Sequence, residues 1–559
     1  MKQLFLISSL ALLVACGGDP DSRAGGSGGA GTGGTGTGGT STGGTGSGGT
    51  GGSKAVSYAI VAADTLAESA ARYRDFRAAS GERVDLVLLS EVTGGTTDVE
   101  QARTRIRDHV AKLYAARDPA IGLSLLILGD ATYTWNGETD SVPTGSHLFV
   151  AENQEVTSDD VYADMDGDDI PELPVGRITA KSDADVDRVR AKVTAYEQSY
   201  EVGPWNRRIN VFASTPGMGP AYDALIESLA FEIAESAPYT YDLTMTYAKQ
   251  TSPYVYVPEK FSDKVYSRIN EGALMVTYVG HGSTGNFATL EWNGKPYFIL
   301  DKSELGQLAV AHRPPILTLV ACLTGAFDKG QSLSESLLEL EGGPPAILSS
   351  TEESHPVANA GFIYELSQTL TGERPATLGA AFVRAKERLL KNADPLRQKI
   401  NALSTVVLSA SELDELHHAH LHMYTLFGDP GMRLAYPRND AELTAPASAS
   451  SGAELEVTAK FPGLSAGSAT LSLETERSVI AGAIAPVPAD GAPDRDAVIL
   501  KNYETANDKV VTKKVVAHEG ELSTQLAVPL GLPSGKYWLK VYADDGVHDS
   551  FAAVAVTVK

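Results

Sequence analysis

The chain has 559 residues, a formal net charge of −24 at pH 7 and only two cysteines. Its acidic balance argues against nucleic acid as a partner and favours a soluble surface whose charges repel one another. At roughly 150 residues per domain, the length allows two or three domains.

Residues 1–15 predict a lipoprotein signal peptide. A basic Met1-Lys2 start precedes an apolar run at residues 4–14 that is too short to span a membrane. The tetrapeptide LVAC at residues 13–16 resembles a bacterial lipobox, which implies that Cys16 is lipidated through its sulfur and anchors the chain without spanning the bilayer. Gly17 and Gly18, rather than Asp, follow Cys16. We therefore expect a lipoprotein of a Gram-negative outer membrane, on its periplasmic face or at the cell surface; the alternative is a plain signal peptide with a chance cysteine.

Residues 16–53 are almost wholly Gly, Thr and Ser, and a segment without apolar side chains stays a flexible tether. Residues 54–437 then alternate between apolar, β-branched runs and helical stretches. We predict strands at residues 56–62, 84–89, 123–128, 209–213, 274–279, 316–321 and 346–349, and helices at residues 66–79, 99–116, 183–201, 221–235, 333–340, 360–370 and 378–391. Apolar strands separated by helices indicate an α/β domain with a mainly parallel sheet flanked by helices.

The composition changes at residue 438. From there to residue 559 the helical periodicity vanishes, and short alternating runs are separated by turn residues such as Pro462-Gly463 and Asp545-Gly546. This pattern predicts an all-β sandwich of immunoglobulin-like type.

A second LVAC, at residues 319–322, places Cys322 at the carboxyl end of a predicted buried strand. The preceding predicted strand ends in the same way, with His281 between two glycines. Ligands of open parallel sheets bind outside the carboxyl ends of the strands, and a thiol needs a base or a cation nearby to become a nucleophile. If these strands are neighbours, imidazole and thiol meet at one edge. The alternatives are an inert core cysteine and a histidine that only caps a loop.

Five segments in order resemble the gingipain-type cysteine peptidases, a family with a caspase-like fold. They are SDDVYADMDGDDIPELPVGRI (158–178), TYVGHGS (277–283), LTLVACLTGAF (317–327), PPAILSSTEES (344–354) and LFGDPGMRL (426–434). The resemblance covers about residues 54–437. It implies a caspase-like, mainly parallel sheet and an endopeptidase that cuts proteins.

The resemblance also implies the site residues. Cys322 would be the nucleophile that forms a thioester acyl-enzyme, His281 the general acid and base, and the N–H groups of Gly282 and Cys322 the oxyanion donors. Some relatives have a carboxylate near the histidine, but Ser214-Thr215-Pro216-Gly217 holds no acid at the matching loop, so we expect a dyad. Asp223 lies near the region of the acid that selects Arg or Lys substrates, but the match is too loose to assign that role, and the primary specificity stays open.

Two further clusters suit metal ions. Oxygen ligands at alternate positions predict a structural calcium site, formed by Asp164, Asp166, Asp168 and Glu172, with a solvated acidic turn as the alternative. In the histidine-rich HHAHLH run (417–422), His418 and His422 have the i, i+4 spacing of zinc ligands. A polar helix face is the expected reading of that run.

Three functions compete. The first is an envelope-anchored cysteine endopeptidase. The second is a transpeptidase or sorting enzyme that uses the same dyad but passes the acyl group to an amine. The third is a calcium-binding surface adhesin that keeps the fold without catalysis, against which the intact His281 and Cys322 argue.

Overall fold

The computed structural model describes residues 55–132, 134–149, 154–198, 201–310 and 312–559, with only the backbone at Phe149 and Gln154. The predicted signal peptide, the tether and Cys16 lie outside these ranges. The part of the chain from Ser53 to Lys559 forms one compact unit. Over the described ranges, every helix is too short or too polar to cross a bilayer.

The strands of the described residues are β1 (Tyr58–Ala62), β2 (Val84–Leu88), β3 (Ser124–Leu128), β4 (Gly145–Phe149), β5 (Gln154–Ser158), β6 (Val175–Ile178), β7 (Arg208–Ser214), β8 (Asp242–Ala248), β9 (Met275–Val279), β10 (Thr289–Trp292), β11 (Lys295–Phe298), β12 (Ile316–Val320), β13 (Ile347–Ser350), β14 (Tyr424–Phe427), β15 (Asn439–Asp440), β16 (Glu442–Thr444), β17 (Ser448–Ala449), β18 (Glu454–Lys460), β19 (Ala466–Thr475), β20 (Val511–His518), β21 (Glu521–Ala527), β22 (Gly535–Asp544) and β23 (Asp549–Val558). The α-helices are α1 (Ala67–Ala79), α2 (Leu89–Thr93), α3 (Val99–Ala115), α4 (Asp183–Gln198), α5 (Pro220–Ser236), α6 (Phe261–Asn270), α7 (Leu333–Glu339), α8 (Pro356–Gln368), α9 (Leu378–Lys391), α10 (Pro395–Ser404), α11 (Ala410–Met423) and α12 (Arg495–Asn507).

A ten-stranded sheet forms the centre of the first part, in the order β2-β1-β3-β6-β14-β13-β12-β9-β7-β8. Neighbouring strands run parallel except β13 and β14, which pair antiparallel. The mainly parallel sheet is therefore confirmed. It consists of two parallel halves whose carboxyl ends point to opposite edges.

The central strands are buried on both faces. Every residue of β1 and of β12 is buried, which agrees with their continuous apolar sequences. The helices cover the sheet with apolar stripes: in α9, Leu378, Phe382, Ala385 and Leu389 follow helical spacing and are all buried. The hydroxyl of Thr377 caps this helix by accepting the Ala380 N–H, and Arg388 and Lys391 occupy its last turn.

The predicted strands agree with observed ones to within a few residues, but β6, β8 and β14 of the central sheet and the paired strands β4, β5, β10 and β11 have no predicted counterpart. β6 reads VGRI and buries Arg177, which pairs with the buried Asp159 at 2.7 Å. Because β6 has only four residues and one of them is arginine, a hydrophobicity pattern does not identify it as a buried strand. The helices α2, α6, α10 and α11 also have no predicted counterpart, and α11 contains the histidine-rich run.

The C-terminal part is a nine-stranded sheet in the order β15-β23-β22-β19-β20-β21-β18-β16, with β17 also paired to β23. β18 alternates strictly between exposed and buried residues, and its inward side chains join those of β19, β21, β22 and β23 in one hydrophobic cluster. The prediction of an all-β region is wrong at α12, which lies between β19 and β20. Ile499 and Tyr503 of α12 are buried one helical turn apart, too short an apolar pattern to stand out among strands. The immunoglobulin-like type stays a prediction.

Candidate active site

The thiol and the imidazole follow two neighbouring strands. β9 and β12 pair in parallel, with Val279 opposite Val320, and the Gly280 N–H donates to the Val320 carbonyl at 3.2 Å. His281 and Cys322 therefore leave the sheet at the same edge. They line one cavity of about 330 Å³, together with Ser214, Pro216, Met218, Ile226, Val279, Gly280, Val320, Glu353, Ser354, His355, Pro356, Asn359, Leu416 and Met423.

The half-buried Cys322 contacts the loop that follows β13. Its Sγ accepts the backbone N–H of Ser354 at 3.3 Å. The amide of Asn359 donates to the Ser354 hydroxyl at 2.9 Å, and the Tyr424 hydroxyl donates to Asn359 at 2.7 Å. The sequence identified the segment ending at Ser354 but not this chain of hydrogen bonds, because Tyr424 lies 65 positions from Asn359 along the chain.

The turn after Cys322 is strained. Leu323 has φ +60°, a left-handed conformation that costs a residue with a side chain roughly 1–2 kcal/mol. Two hydrogen bonds hold this turn against the end of β13: Leu323 N–H to Glu352 O at 3.1 Å, and Gly325 N–H to Ser350 O at 2.8 Å. Such strain persists where surrounding structure enforces it, commonly at functional sites.

His281 is exposed, and its ring is held by the loop after β7. Nε2 lies 2.5 Å from the carbonyl oxygen of Pro216, and a carbonyl can only accept, so Nε2 carries the proton. The backbone N–H of His281 donates to the Ser214 hydroxyl at 3.3 Å. The loop predicted to lack a carboxylate thus contacts the imidazole through a backbone oxygen.

Gly282 packs directly against the segment that carries the thiol. A Cβ at this position would lie 2.8 Å from the Ala321 Cβ, 2.9 Å from the Thr324 Cγ2 and 3.0 Å from the Cys322 carbonyl oxygen. The backbone therefore approaches the Cys322 segment more closely than any side chain would permit.

The cavity wall beside His281 and Cys322 is largely apolar. Met218, Ile226, Val279 and Leu416 are among its lining residues. Asp223 does not line the cavity; its carboxylate accepts the backbone N–H of Met218 at 3.0 Å.

His355 lines the cavity and also caps α8, where its Nδ1 accepts the Val357 N–H at 3.3 Å. Its own backbone N–H donates to Nε2 of His420 at 3.0 Å, while Nδ1 of His420 lies 2.7 Å from the Leu416 carbonyl. Burial lowers the pKa of His355 and lowers that of His420 to about 3. Both rings therefore act as neutral structural groups.

The four predicted calcium ligands lie together. Carboxylate oxygens of Asp164, Asp166, Asp168 and Glu172 are all within 4.8 Å of one another. The loop turns through Gly167 at φ +83°, whose N–H donates to Asp164 at 2.7 Å. Burial, and then the three neighbouring carboxylates, raise the pKa of Glu172 even though the Met165 N–H bonds to it. Four crowded oxygen donors fit a hard cation such as Ca²⁺.

The histidine-rich helix contributes to a different cluster. His422 lies with His147 of β4 and with Asp169, and their ligand atoms are within 4.8 Å of one another. His418, the predicted i, i+4 partner of His422, lines the same cavity but is not part of this group. Burial, and then the neighbouring His422, lowers the pKa of His147 to about 4. The sequence offered no signal for pairing His147 with His422, which are 275 positions apart.

The comparison with known proteins gives nearly the same bounds for the α/β domain as the sequence analysis. The model of peptidase family C25 matches residues 52–435. Among solved structures, the chain is similar to the Arg-specific cysteine proteinase gingipain R (RgpB), with 17% identity, a TM-score of 0.50, and 90% of this chain and 98% of that chain covered. It is also similar to the complex of Porphyromonas gingivalis RgpB pro- and mature domains, with 18% identity, a TM-score of 0.50, and 90% and 100% covered. No curated protein matches it.

The two solved structures share the caspase-like α/β fold with this chain, and at such low identity the likeness concerns the fold alone. The family model is the stronger finding, because it spans well over half of the chain and includes both His281 and Cys322. The chain belongs to peptidase family C25 and is a cysteine-type peptidase.

Proposed function

We propose that the protein is an endopeptidase that hydrolyses peptide bonds in proteins through a dyad of Cys322 and His281. The observation that carries the proposal is the shared cavity at the carboxyl ends of β9 and β12, where both side chains lie. The N–H of Ser354, 3.3 Å from Sγ, supports a thiolate by donating to it.

The hydrogen bond of His281 to Pro216 sets the direction of proton transfer. With the proton on Nε2, Nδ1 is the basic nitrogen that takes the proton of the thiol. The thiolate then attacks the scissile carbonyl carbon. The resulting oxyanion is held by the N–H groups of Gly282 and Cys322, and such donors contribute several kcal/mol in well-studied hydrolases.

Breakdown of the tetrahedral intermediate completes acylation. The C–N bond breaks, and Nδ1 of His281 returns its proton to the leaving amine, which leaves a thioester on Cys322. A water molecule then attacks the thioester carbonyl while His281 accepts a proton from it. The C–S bond breaks, the acid product departs, and His281 returns the proton to the sulfur, which regenerates the thiol.

The apolar wall of the cavity argues for an uncharged side chain on the residue that precedes the cut. Met218, Ile226 and Leu416 offer surface for apolar contact, and Asp223 is engaged with the backbone outside the cavity. Glu353, the acid that lines the cavity, is exposed at its mouth. The similar gingipain R is Arg-specific according to its name. The apolar wall of the present cavity supports a different preference for this chain.

The test is digestion of a mixed proteome by the chain and by its Cys322→Ala variant, with the new termini mapped by mass spectrometry. We expect cuts only with the intact thiol, mainly after apolar residues. Equal digests, together with no labelling of Cys322 by a thiol-reactive peptidyl probe, would contradict catalysis. Cuts mainly after Arg or Lys would contradict only the specificity.

Transpeptidation is separated from hydrolysis by adding a small primary amine. Because an acyl-enzyme reacts with whichever nucleophile reaches it, a sorting enzyme would yield amide products at low amine concentration. We expect free carboxylates as the main products.

The proposal includes a structural Ca²⁺ held by Asp164, Asp166, Asp168 and Glu172. A ligand that binds only the folded state stabilises it by about 2.7 kcal/mol at a hundredfold excess over Kd. Chelation should therefore lower the Tm of the parent chain. In Asp166→Asn, the Tm should be the same with and without chelator. In Asp108→Asn, on an exposed turn of α3, chelation should lower the Tm as it does in the parent. A Tm that does not respond to chelation would count against the ion.

The proposal also includes attachment to the outer membrane through lipid on Cys16, on either face. The support is the LVAC segment at residues 13–16. Metabolic labelling with a clickable fatty acid should mark the chain, and Cys16→Ser should abolish both the label and membrane fractionation. Labelling that survives Cys16→Ser would contradict this anchor.

A further inference from the structure

Another cavity, of about 250 Å³ and lined largely by polar side chains, lies against α11. His147, Asp169, His418 and His422 line it, and none of its lining residues lines the catalytic cavity. It brings together β4, the end of the acidic loop and α11. Three elements distant in sequence therefore contribute imidazole and carboxylate groups to one small volume.

One imidazole nitrogen in this cavity is buried without a hydrogen bond or a facing charge. Within the described ranges, Nε2 of His147 has no hydrogen-bond partner, whereas Nδ1 of His422, which also has none, lies next to a buried carboxylate. His422 is only 4% exposed, and its ring stacks on that of His147 with centroids 3.4 Å apart. Leaving a buried polar group unsatisfied costs about 1–3 kcal/mol, so such groups call for an explanation.

A buried carboxylate stands behind the His422 ring. Oδ2 of Asp160 lies 3.5 Å from Nδ1 of His422, close to it but beyond an ordinary hydrogen bond, and it also pairs with Lys386 at 2.6 Å. Histidines that ligate metals usually direct their other ring nitrogen at a carboxylate or a carbonyl, which orients the ring. Asp160 is placed to orient the His422 ring in this way, through Nδ1.

We propose that His147, Asp169 and His422 bind a divalent transition-metal cation of the Zn²⁺ type. Two imidazoles and one carboxylate form a donor set that suits Zn²⁺ and related ions, whereas Ca²⁺ prefers oxygen ligands alone. Because an imidazole ligates in the plane of its ring and the two rings are stacked, one ring must rotate about its Cβ–Cγ bond for both to reach the same ion. Asp169 follows directly after Asp168 of the calcium loop, so the acidic loop faces two different sites. The pair predicted from the i, i+4 spacing is replaced here, because His147 rather than His418 is the partner of His422.

Such an ion would fasten β4 and the acidic loop to α11. α11 also supplies Leu416 and Met423 to the wall of the catalytic cavity. Metal binding would therefore stabilise the folded chain, and with it that wall, independently of peptide hydrolysis.

The test is equilibrium dialysis of the full-length, chelator-stripped chain against Zn²⁺ in excess Ca²⁺, which occupies the acidic loop. All proteins carry Cys322→Ala, so that Zn²⁺ has no thiol to bind beside His281. We expect one Zn²⁺ per chain. His147→Gln and Asp169→Asn should each weaken binding by about tenfold or more, since even altered supporting residues around a metal cost 10- to 100-fold.

His418→Gln is the matched control, because His418 lines the same cavity on the same helix but lies outside the ligand group. It should bind Zn²⁺ as the parent does. Co²⁺ provides a second readout: the parent and His418→Gln should give the same visible absorption bands, and Asp169→Asn should lose or shift them.

Asp169 is exposed, so Asp169→Asn leaves the buried packing intact and decides the matter even if His147→Gln fails to fold. Parent-like affinity in Asp169→Asn would overturn the proposal. So would the absence of stoichiometric Zn²⁺ in the parent, or an equal loss of binding in His418→Gln.

Discussion

The backbone of Gly282 lies against the thiol segment with no space for a side chain. The nearest atoms to an added Cβ belong to Ala321 and Thr324, both of which are buried, so the backbone of residue 282 would have to shift instead. Misplacing a catalytic group by about 1 Å can cost a hundredfold in rate. We therefore expect activity to depend on Gly282 because the missing side chain lets its backbone lie close to the thiol segment.

Gly282→Ala should lower kcat/KM by about 100-fold while the chain remains folded. Gly285→Ala in the same loop should be close to the parent, because a Cβ there meets nothing within 4 Å. Peptide hydrolysis and far-ultraviolet circular dichroism of both variants check this. Equal activities would show that the oxyanion donors do not depend on this close approach.

Ile226 lies where the catalytic cavity continues into an apolar space between β7, β9 and the helices α5 and α8. Ile226→Asp places a carboxylate in that wall, and a carboxylate there favours a basic substrate side chain. The ratio of cleavage after Arg to cleavage after Leu should rise by at least about tenfold in a peptide library. Ile226→Asn, of similar size but uncharged, should not raise it.

At the scale of one element, α11 is a helix that buries histidine. Ser409 and Glu412 form its capping box, and Leu413 and Leu416 pack inward. His417 lies 3.3 Å from the guanidinium of Arg397. Burial, together with the charge of Arg397, lowers the pKa of His417 to about 2.

This arrangement predicts acid lability. The unfolded chain binds protons at these histidines near pH 6.5, whereas the folded chain binds them only near pH 3 at His420 and near pH 2 at His417. The contribution of these two histidines to the free energy of unfolding is therefore fully present above pH 6.5. It is lost as the pH decreases, by about 1.4 kcal/mol per pH unit for each histidine.

The measurement is the free energy of unfolding by denaturant between pH 6 and pH 4. The slope should be smaller in His417→Gln than in the parent by about 1.4 kcal/mol per pH unit. Comparing two slopes cancels the contributions of other titrating groups. Identical slopes would mean that His417 is protonated in the folded state.

For the whole molecule, the two sheets are joined through buried charges. Lys540 of β22 is 1% exposed and pairs with Asp242 of β8 and with Glu474 of β19. Tyr239 stacks on Trp538 nearby, with ring centroids 4.2 Å apart. These contacts connect the last strand of the catalytic sheet to the C-terminal sheet, which explains why Ser53–Lys559 is one compact unit.

Lys540→Ala should destabilise the chain by about 3 kcal/mol, because it removes the most deeply buried of the cations that pair with Asp242 and Glu474. Lys536→Ala is the control: Lys536 is 49% exposed and lies 3.6 Å from Glu476, and removing such a pair costs at most about 1 kcal/mol. Denaturant unfolding checks both. A loss below 1 kcal/mol in Lys540→Ala would show that Lys509 and Arg207 satisfy Asp242 without it.

The sequence alone predicted the alternating α/β part, the positions of its apolar strands, and the pairing of His281 with Cys322. These features are local, because each strand is a continuous apolar run and each functional residue directly follows one. The five matching segments added the peptidase family, which the family model confirms. The clustering of the four acids of the acidic loop was also predictable, since they lie within nine residues.

The tertiary structure decided what depends on elements far apart in the chain. The reversal of strand direction at β14, the contact of Pro216 with His281 and the hydrogen bonds from Tyr424 through Asn359 to Ser354 join segments that no periodicity links. The same holds for His147 and His422, and for the charges that connect the two sheets. Hydrophobic patterning specifies which faces are buried, but only packing determines which polar groups then meet.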